Sequence, residues 1–342
     1  MRTAQTTIRD IAEQLGLSTS TVSRALKDHP DISPETKKAV RELALRLNYR
    51  PNAMAISLRN SKSNIIGVII PEVVHHFFSQ VISGIEDVAY DGGYQVMLCQ
   101  SNESYLREVK NTQALLLTRI EGLLVSVSKE TKDFSHLKHL QNLNIPIVFF
   151  DRVCEEMEAD KVIVDDYDGA YKAVEHLISI GCKRIAHLGT VQDLGIGRNR
   201  MNGYLQALKD HNLPIDERLI ARCDTINAAT LVTKRMIYEI HPPDGLFAVN
   251  DLTAIGAMQT IRENKLKIPE DIAVIGFSNG IYASFTDPPL STVEQHGYKI
   301  GQRATSLLLD RLIQKTDYPP VTEVIKTELV IRQSTIRSRI PS

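Results

Sequence analysis

The sequence predicts a small all-α headpiece joined to a much larger α/β body built on parallel sheets. Three observations carry this: paired short helical patterns at 6–28, a change in the sign of the charge near residue 62, and apolar β-rich runs alternating with amphipathic stretches from residue 64 onward. At 342 residues the chain exceeds one ordinary core, so two or three domains are expected.

In TTIRDIAEQLGLSTSTVSRALKD, Ile8, Ile11, Ala12 and Leu15 recur at helical spacing, and Gly16 lets the chain turn. Ser18 is a good N-cap for a second helix that buries Val22, Ala25 and Leu26. The opposite face carries Thr19, Ser20, Ser23, Arg24 and Lys27, all able to hydrogen-bond bases or phosphates of double-stranded DNA. With Thr7, Ser18 and Thr21 they form the candidate DNA-contacting set. An ordinary amphipathic hairpin with a solvated polar face has the same spacing.

Ser33, Pro34 and Glu35 supply a cap, an N1 proline and an acidic first turn, so a third helix is expected to about Asn48 on Val40, Leu43, Ala44 and Leu47. Tyr49-Arg50-Pro51 breaks it. Residues 52–59 then read as a helix of barely two turns, and helices under about 12 to 15 residues are marginal alone in water. The expected divisions are a headpiece at 1–50, a hinge helix and linker at 51–62, and a body at 63–342.

The headpiece blocks, then ISPETKKAV, LNYRPNAMAISLR and IGVIIP, continue into FFDR at 149–152, HLISIGCKRIAHLG at 176–189 and RMNGYLQAL at 200–208. VNDLTAIGAM at 249–258, IPEDIAVIGF at 268–277 and PPLSTVEQ at 288–295 follow. In order and spacing this series resembles the lactose-repressor (LacI/GalR) family of bacterial transcription regulators, nearly end to end. The resemblance implies a two-lobed, periplasmic-binding-protein-like body closing on a small-molecule effector, with the chain crossing between lobes more than once. It also implies a homodimer on a palindromic operator, matching the two-fold logic of half-site reading. Within 52–59 it places Asn52, Ala55 and Leu58 at the minor groove, with Leu58 as an apolar wedge.

Charge agrees with a polyanion-binding head. Residues 1–62 hold eleven Lys or Arg against six Asp or Glu, leaving 29 basic and 35 acidic residues in the remainder. The amino terminus has no apolar signal-peptide core and no run approaches 18 apolar residues, so a cytoplasmic protein without a membrane partner is expected. Cys99, Cys154, Cys182 and Cys223 lack metal-ligand spacing and read as buried free thiols. No cofactor or metal is expected. His136 and His139 read as part of a solvated helix face, and Gly195-Ile196-Gly197 lacks the third glycine of a dinucleotide fingerprint.

Candidate strands are 65–70, 95–99, 122–127, 147–150, 162–164, 184–188, 246–249 and 272–277. In open parallel sheets ligands sit beyond the carboxyl ends of strands, so the residues just after each run are the ones to read. They include Asp151, Arg152, Asp165, Asp166, Asn250, Asp251, Ser278 and Asn279. Asp166, Asp168 and Asp251 read equally well as helix caps.

The family resemblance adds Arg200, from its R-x-x-G block, as a holder of effector hydroxyls or carboxylates. It also places Phe77, Phe78 and Ser79 at the cleft mouth, where either phenylalanine could instead be plain core. The candidate effector set is Phe77, Phe78, Ser79, Asp151, Arg200, Asn250 and Ser278. Sugar-responsive members of the family usually carry an aspartate where this chain has Ser278. Either Asn279 and Asn250 replace it for a sugar, or the effector is anionic, such as a sugar phosphate, or a protein co-regulator acts instead. Gly276-Phe277-Ser278-Asn279-Gly280 also matches the G-x-S-x-G nucleophile elbow of hydrolases, but only Asp287 and His296, in one short stretch, are placed to complete a triad. A non-enzyme is expected.

Overall fold

The computed structural model describes residues 6–49, 63–190, 195–314 and 319–337. Asn52, Ala55, Leu58 and the rest of the expected hinge lie outside the described residues. Contacts divide the chain into Met1–Ser63 and Asn64–Ser342.

The headpiece holds α1 (Ile8–Leu15), α2 (Thr19–Leu26) and α3 (Pro34–Arg46). The second and third begin at the expected serines, and the first at a cap that was not anticipated. Thr7 and Asp10 form a reciprocal capping box, Ser18 accepts from the Thr21 amide at 3.1 Å, and Ser33 accepts from the Thr36 amide at 3.3 Å. Gly16 closes α1 at φ +61°, a left-handed conformation that costs glycine little. Ile11, Ala12, Val22, Ala25, Val40, Leu43 and Ala44 bury the seam between the helices. The third helix stops two residues short of Asn48, which sits at φ +47°.

The body has two lobes. The first contains a parallel sheet of β1 (Ile65–Ile70), β2 (Gln95–Gln100), β3 (Gly122–Val125), β4 (Ile147–Phe150), β5 (Asp160–Val164) and β11 (Thr322–Ile325), in the order β11-β5-β4-β3-β1-β2. Side chains on successive strand residues point to opposite faces. Val68, Leu124 and Phe150 therefore pack under α4 (His76–Asp91) and α11 (Gly297–Gln314), whereas Ile69, Val125 and Phe149 pack under α5 (Tyr105–Leu117) and α6 (Ser135–Asn142).

The second lobe has the parallel order β7-β6-β8-β9, from β6 (Ile185–Gly189), β7 (Ile220–Arg222), β8 (Gly245–Ala248) and β9 (Ala273–Ile275). One face is covered by α7 (Asp166–Ser179) and α8 (Gly195–Asp210), the other by α9 (Ile226–Ile237) and α10 (Asp251–Glu263). An antiparallel ribbon of β10 (Thr292–Glu294) and β12 (Glu328–Val330) extends this lobe. The chain passes between lobes three times, after β5, after β10 and after β11. Lys326 donates to Asp165 Oδ2 at 2.7 Å and ties the first of these passages to the third.

The expected strands are found to within two residues at each end, while β7, β10, β11 and β12, each three or four residues long, were not anticipated. Cys154, Cys182 and Cys223 are buried and Cys99 half-buried. His136 departs from expectation. Its side chain is only 6% exposed and its Nε2 lies 3.0 Å from the buried Glu108 carboxylate; of the pair, only His139 is exposed.

The carboxy-terminal helix α11 docks on α4 through two glycines. A methyl at Gly84 would meet the Tyr298 carbonyl oxygen, and one at Gly301 would meet that of Val81, both backbone atoms of the facing helix. Gly84→Ala should therefore cost about 1–3 kcal/mol by overpacking, or more, because neither backbone can yield. Thermal melting of the purified protein checks this, and an unchanged midpoint would contradict the close crossing.

Candidate functional site

On the headpiece, α2 exposes Thr19, Ser20, Arg24 and Lys27 on the face away from Val22 and Ala25. Thr21 and Ser23 are half-buried beside them. The Ser18 hydroxyl is shared with Ser20 at 2.7 Å and Thr21 at 2.8 Å, while that of Thr7 donates to Asp10 Oδ2 at 2.9 Å. These two hydroxyls hold helix starts as well as facing solvent. The arrangement presents two long cations, Arg24 and Lys27, among short hydroxyls, a surface suited to a groove edge.

In the body, the carboxyl ends of both sheets converge on one cleft. Phe77, Phe78, Lys129, Asp151, Arg152, Thr190, Arg200, Asp224, Asn250, Asp251, Ser278 and Gln295 all line it. Of the sequence-derived effector set, six residues are brought together here and Ser79 is not. Its hydroxyl donates to the His76 carbonyl at 2.7 Å; at about 100° of helix rotation per residue it lies nearly opposite Phe77, off the cleft face. Phe77 and Phe78, edge to face at 5.2 Å, serve both readings: they line the cleft and belong to the first lobe's core.

Arg200 is 5% exposed. Its Nε donates to Asp166 Oδ1 at 2.8 Å, its Nη1 to the Val249 carbonyl at 2.5 Å, and its guanidinium lies 3.7 Å from the centre of the Phe277 ring. Burial pushes the Asp166 carboxyl up despite this partner. Asp151, at φ +59° after β4, accepts from Ser126 Oγ at 3.1 Å, and burial raises its carboxyl to about 6. Arg152 donates to both oxygens of Glu103, at 2.9 and 2.7 Å. Lys129 donates to Asp224 Oδ2 at 2.6 Å, as does Thr190 Oγ1. Burial works to raise the Asp224 carboxyl, yet these two donors hold it below the usual range.

The helix-cap reading falls on different residues. Asp165 and Asn250, not Asp166, Asp168 or Asp251, cap α7 and α10, accepting from the Asp168 amide at 3.1 Å and the Thr253 amide at 2.9 Å. A cap must precede the first helical residue, and those three lie inside the first turn. Asp251 is instead buried. It accepts from Thr292 Oγ1 at 2.5 Å and the Gly280 amide at 2.6 Å, and burial raises its carboxyl to about 7.

Ser278 sits at φ +115° and donates to Gln295 Oε1 at 2.7 Å rather than to a histidine. The segment after it is a short 3-10 helix, Ile281–Ser284, so the strand-turn-helix of a nucleophile elbow is not built. Asn279 is held by Glu294 and Arg332, at 2.6 and 2.7 Å, so of the two amides weighed only Asn250 lines the cleft, and there its Oδ1 caps α10 while its Nδ2 donates to the Asp224 carbonyl at 3.3 Å. The sequence reading missed Lys129, Thr190, Asp224 and Gln295. The same strand-end rule finds them once β3 is ended at Val125, β6 at Gly189 and the short strands β7 and β10 are known. Among the described residues, no group of three or more His, Cys, Asp or Glu is placed to hold a metal, and no helix is long and apolar enough to cross a membrane.

Comparison with known proteins agrees at both ends of the chain. Residues 7–52 match the model of bacterial regulatory proteins of the lacI family, and 174–335 match a periplasmic binding protein-like domain. The chain is 32% identical over 336 residues to the HTH-type transcriptional repressor PurR of Vibrio atlanticus (strain LGP32), covering 97% of this chain and 99% of that one. Among solved structures, the lac repressor dimer bound to operator and the anti-inducer ONPF aligns with a TM-score of 0.84 at 26% identity, over 97% of this chain and 100% of that chain. A complex of the transcriptional regulator CelR with cellobiose aligns with a TM-score of 0.74 at 26% identity, over 96% of this chain and 100% of that chain. Its helix-turn-helix head, its two-lobed body and a full-length match above 30% identity place this chain in the lacI family of bacterial transcription regulators.

Proposed function

We propose that this protein is a homodimeric operator-binding repressor whose DNA affinity is set by a neutral, hydroxyl-rich small molecule, a sugar in the simplest case, held in the cleft between the lobes. The observation that carries the ligand class is charge pairing. Each of the three cations lining the cleft already has its own carboxylate: Arg152 has Glu103, Lys129 has Asp224 and Arg200 has Asp166. A phosphate would have to displace one of these pairs. Hydroxyls, in contrast, find an acceptor in the Asp151 carboxylate beside the apolar faces of Phe77, Phe78 and Ile196. The CelR relative, solved with cellobiose, supports a sugar, and the lac repressor relative, solved as a dimer on operator, supports the two-fold assembly. An operator as partner supports a cytoplasmic site of action.

For the headpiece, Arg24 has the reach for paired hydrogen bonds to a guanine edge, which Thr19 and Ser20 lack. Arg24→Ala should cost about 1–3 kcal/mol on the specific operator and relax preference at one base per half-site. Equal loss on random DNA would make it a phosphate contact. The segment 52–59 belongs to the same proposal, with a division near 51–62 between head and body. Leu58→Ala should weaken operator binding and reduce DNA bending without moving the body's melting midpoint, because a wedge acts only on docked DNA. A Gly/Ser replacement of 52–59 with unchanged operator affinity would reduce the segment to a tether.

Ligand class has a pH signature. If ligand hydroxyls donate to the Asp151 carboxylate, that acceptor is present above about 6 and lost below it, so affinity for a neutral sugar should fall as pH drops through 6. For an anionic ligand the sign reverses, since protonation removes a repelling charge. Calorimetric titration of a panel of sugars and sugar phosphates across this range decides, with Asp151→Asn expected to flatten the profile. Asp251, near 7, is held by Thr292 and Gly280 and is separated by that variant.

A further inference from the structure

Lys129 reaches into the cleft from a loop of the first lobe that is pinned on both sides. Beneath it the fully buried Glu108 accepts from the Ser128 amide at 2.8 Å, Ser128 Oγ at 2.9 Å and Thr131 Oγ1 at 2.9 Å, and meets His136 Nε2 at 3.0 Å. The Lys129 amide donates to Glu103 Oε2 at 2.9 Å, and Glu103 is clasped by Arg152. Asp224 follows β7 in the second lobe and is pinned as well, its carboxylate by Thr190 and its carbonyl oxygen by Asn250 Nδ2 at 3.3 Å. Between the two arms runs one contact of 2.6 Å. Lys129 also borders a second hollow, with Val153, Glu155 and Arg198, so the bridge stands between two compartments of the interlobe space.

We infer that the Lys129–Asp224 ion pair is a cross-lobe latch that biases the body toward its closed arrangement independently of any ligand. Rigid arms matter here, because a pair on free side chains would spend its attraction on ordering them. The side chains remain 31% and 22% exposed, so salt screens the pair and the bias is a few-fold shift in population, not a lock. A ligand entering the cleft then works against or with a preset equilibrium. The latch rests on the proposed ligand site only for that consequence. Closure can be measured with nothing bound, so failure of the sugar reading leaves the test intact.

Hydrogen exchange read by mass spectrometry on the full-length protein, with no ligand added, provides that test, each variant being scored in the lobe opposite its substitution. Asp224→Asn should accelerate exchange at 73–78 in the first lobe, and Lys129→Gln should accelerate it at 278–282 in the second, each by about two- to fivefold, the range of a partly exposed pair. The wild type in molar salt should show the same acceleration, and the charge-reversed Lys129→Asp/Asp224→Lys protein should return toward wild type. Acceleration confined to the substituted lobe in both single variants would overturn the latch.

Discussion

Much of the second lobe turns on one buried guanidinium. A charge taken out of water is tolerated only when it is paired and hydrogen-bonded. Arg200 meets that condition by drawing on three elements besides its own helix: Asp166 at the start of α7, the carbonyl of Val249 after β8, and the ring of Phe277 after β9. Its position therefore fixes where α7, β8 and the β9 loop end relative to α8. Removing it would strand Asp166 as an unpaired buried carboxylate. Loss of ligand response in an Arg200 variant would mix a lost contact with a damaged lobe, which makes Asp151 the cleaner probe of the cleft.

The same constraint governs the rest of the cleft. Parallel sheets deliver polar residues to their carboxyl ends, and here they deliver many carboxylates: Asp151, Asp166, Asp224 and Asp251, with Glu103 from the loop after β2. Three are neutralised by Arg or Lys, while Asp151 and Asp251 are held by hydroxyl or amide donors and by burial that favours their protonated forms. A site balanced in this way offers hydrogen-bond acceptors without a strong net attraction for either sign of charge.

The headpiece was almost wholly legible because its information is local. Caps at Ser18 and Ser33, the turn at Gly16 and the apolar spacing each act over a few residues, and each is found where it was expected; the Thr7 cap is equally local but was not read. The strands that were legible, such as 65–70 and 147–150, are apolar runs covered on both faces. Those that were not, at Ile220–Arg222, Thr292–Glu294, Thr322–Ile325 and Glu328–Val330, are short and carry exposed or half-buried residues, so their pairing comes from partners far along the chain. Lys129 and Asp224, 95 positions apart, illustrate the cost. Neither residue carries a local signal of its partner, and Asp224 follows a strand that periodicity could not reveal.

Lobe closure and chain connectivity bring these parts together. The segment preceding Asn64 is covalently continuous with β1, the strand next to the edge of the first sheet, so any movement of the first lobe against the second moves the point where the body receives the head. Three chain passages join the lobes, and close-packed lobes rearrange as units rather than deforming continuously. A ligand regulates only to the extent that it prefers one arrangement. Phe77 and Asp151 from one lobe and Arg200 and Asn250 from the other line the same cleft, so a ligand touching both sets at once is sensitive to how the lobes are arranged.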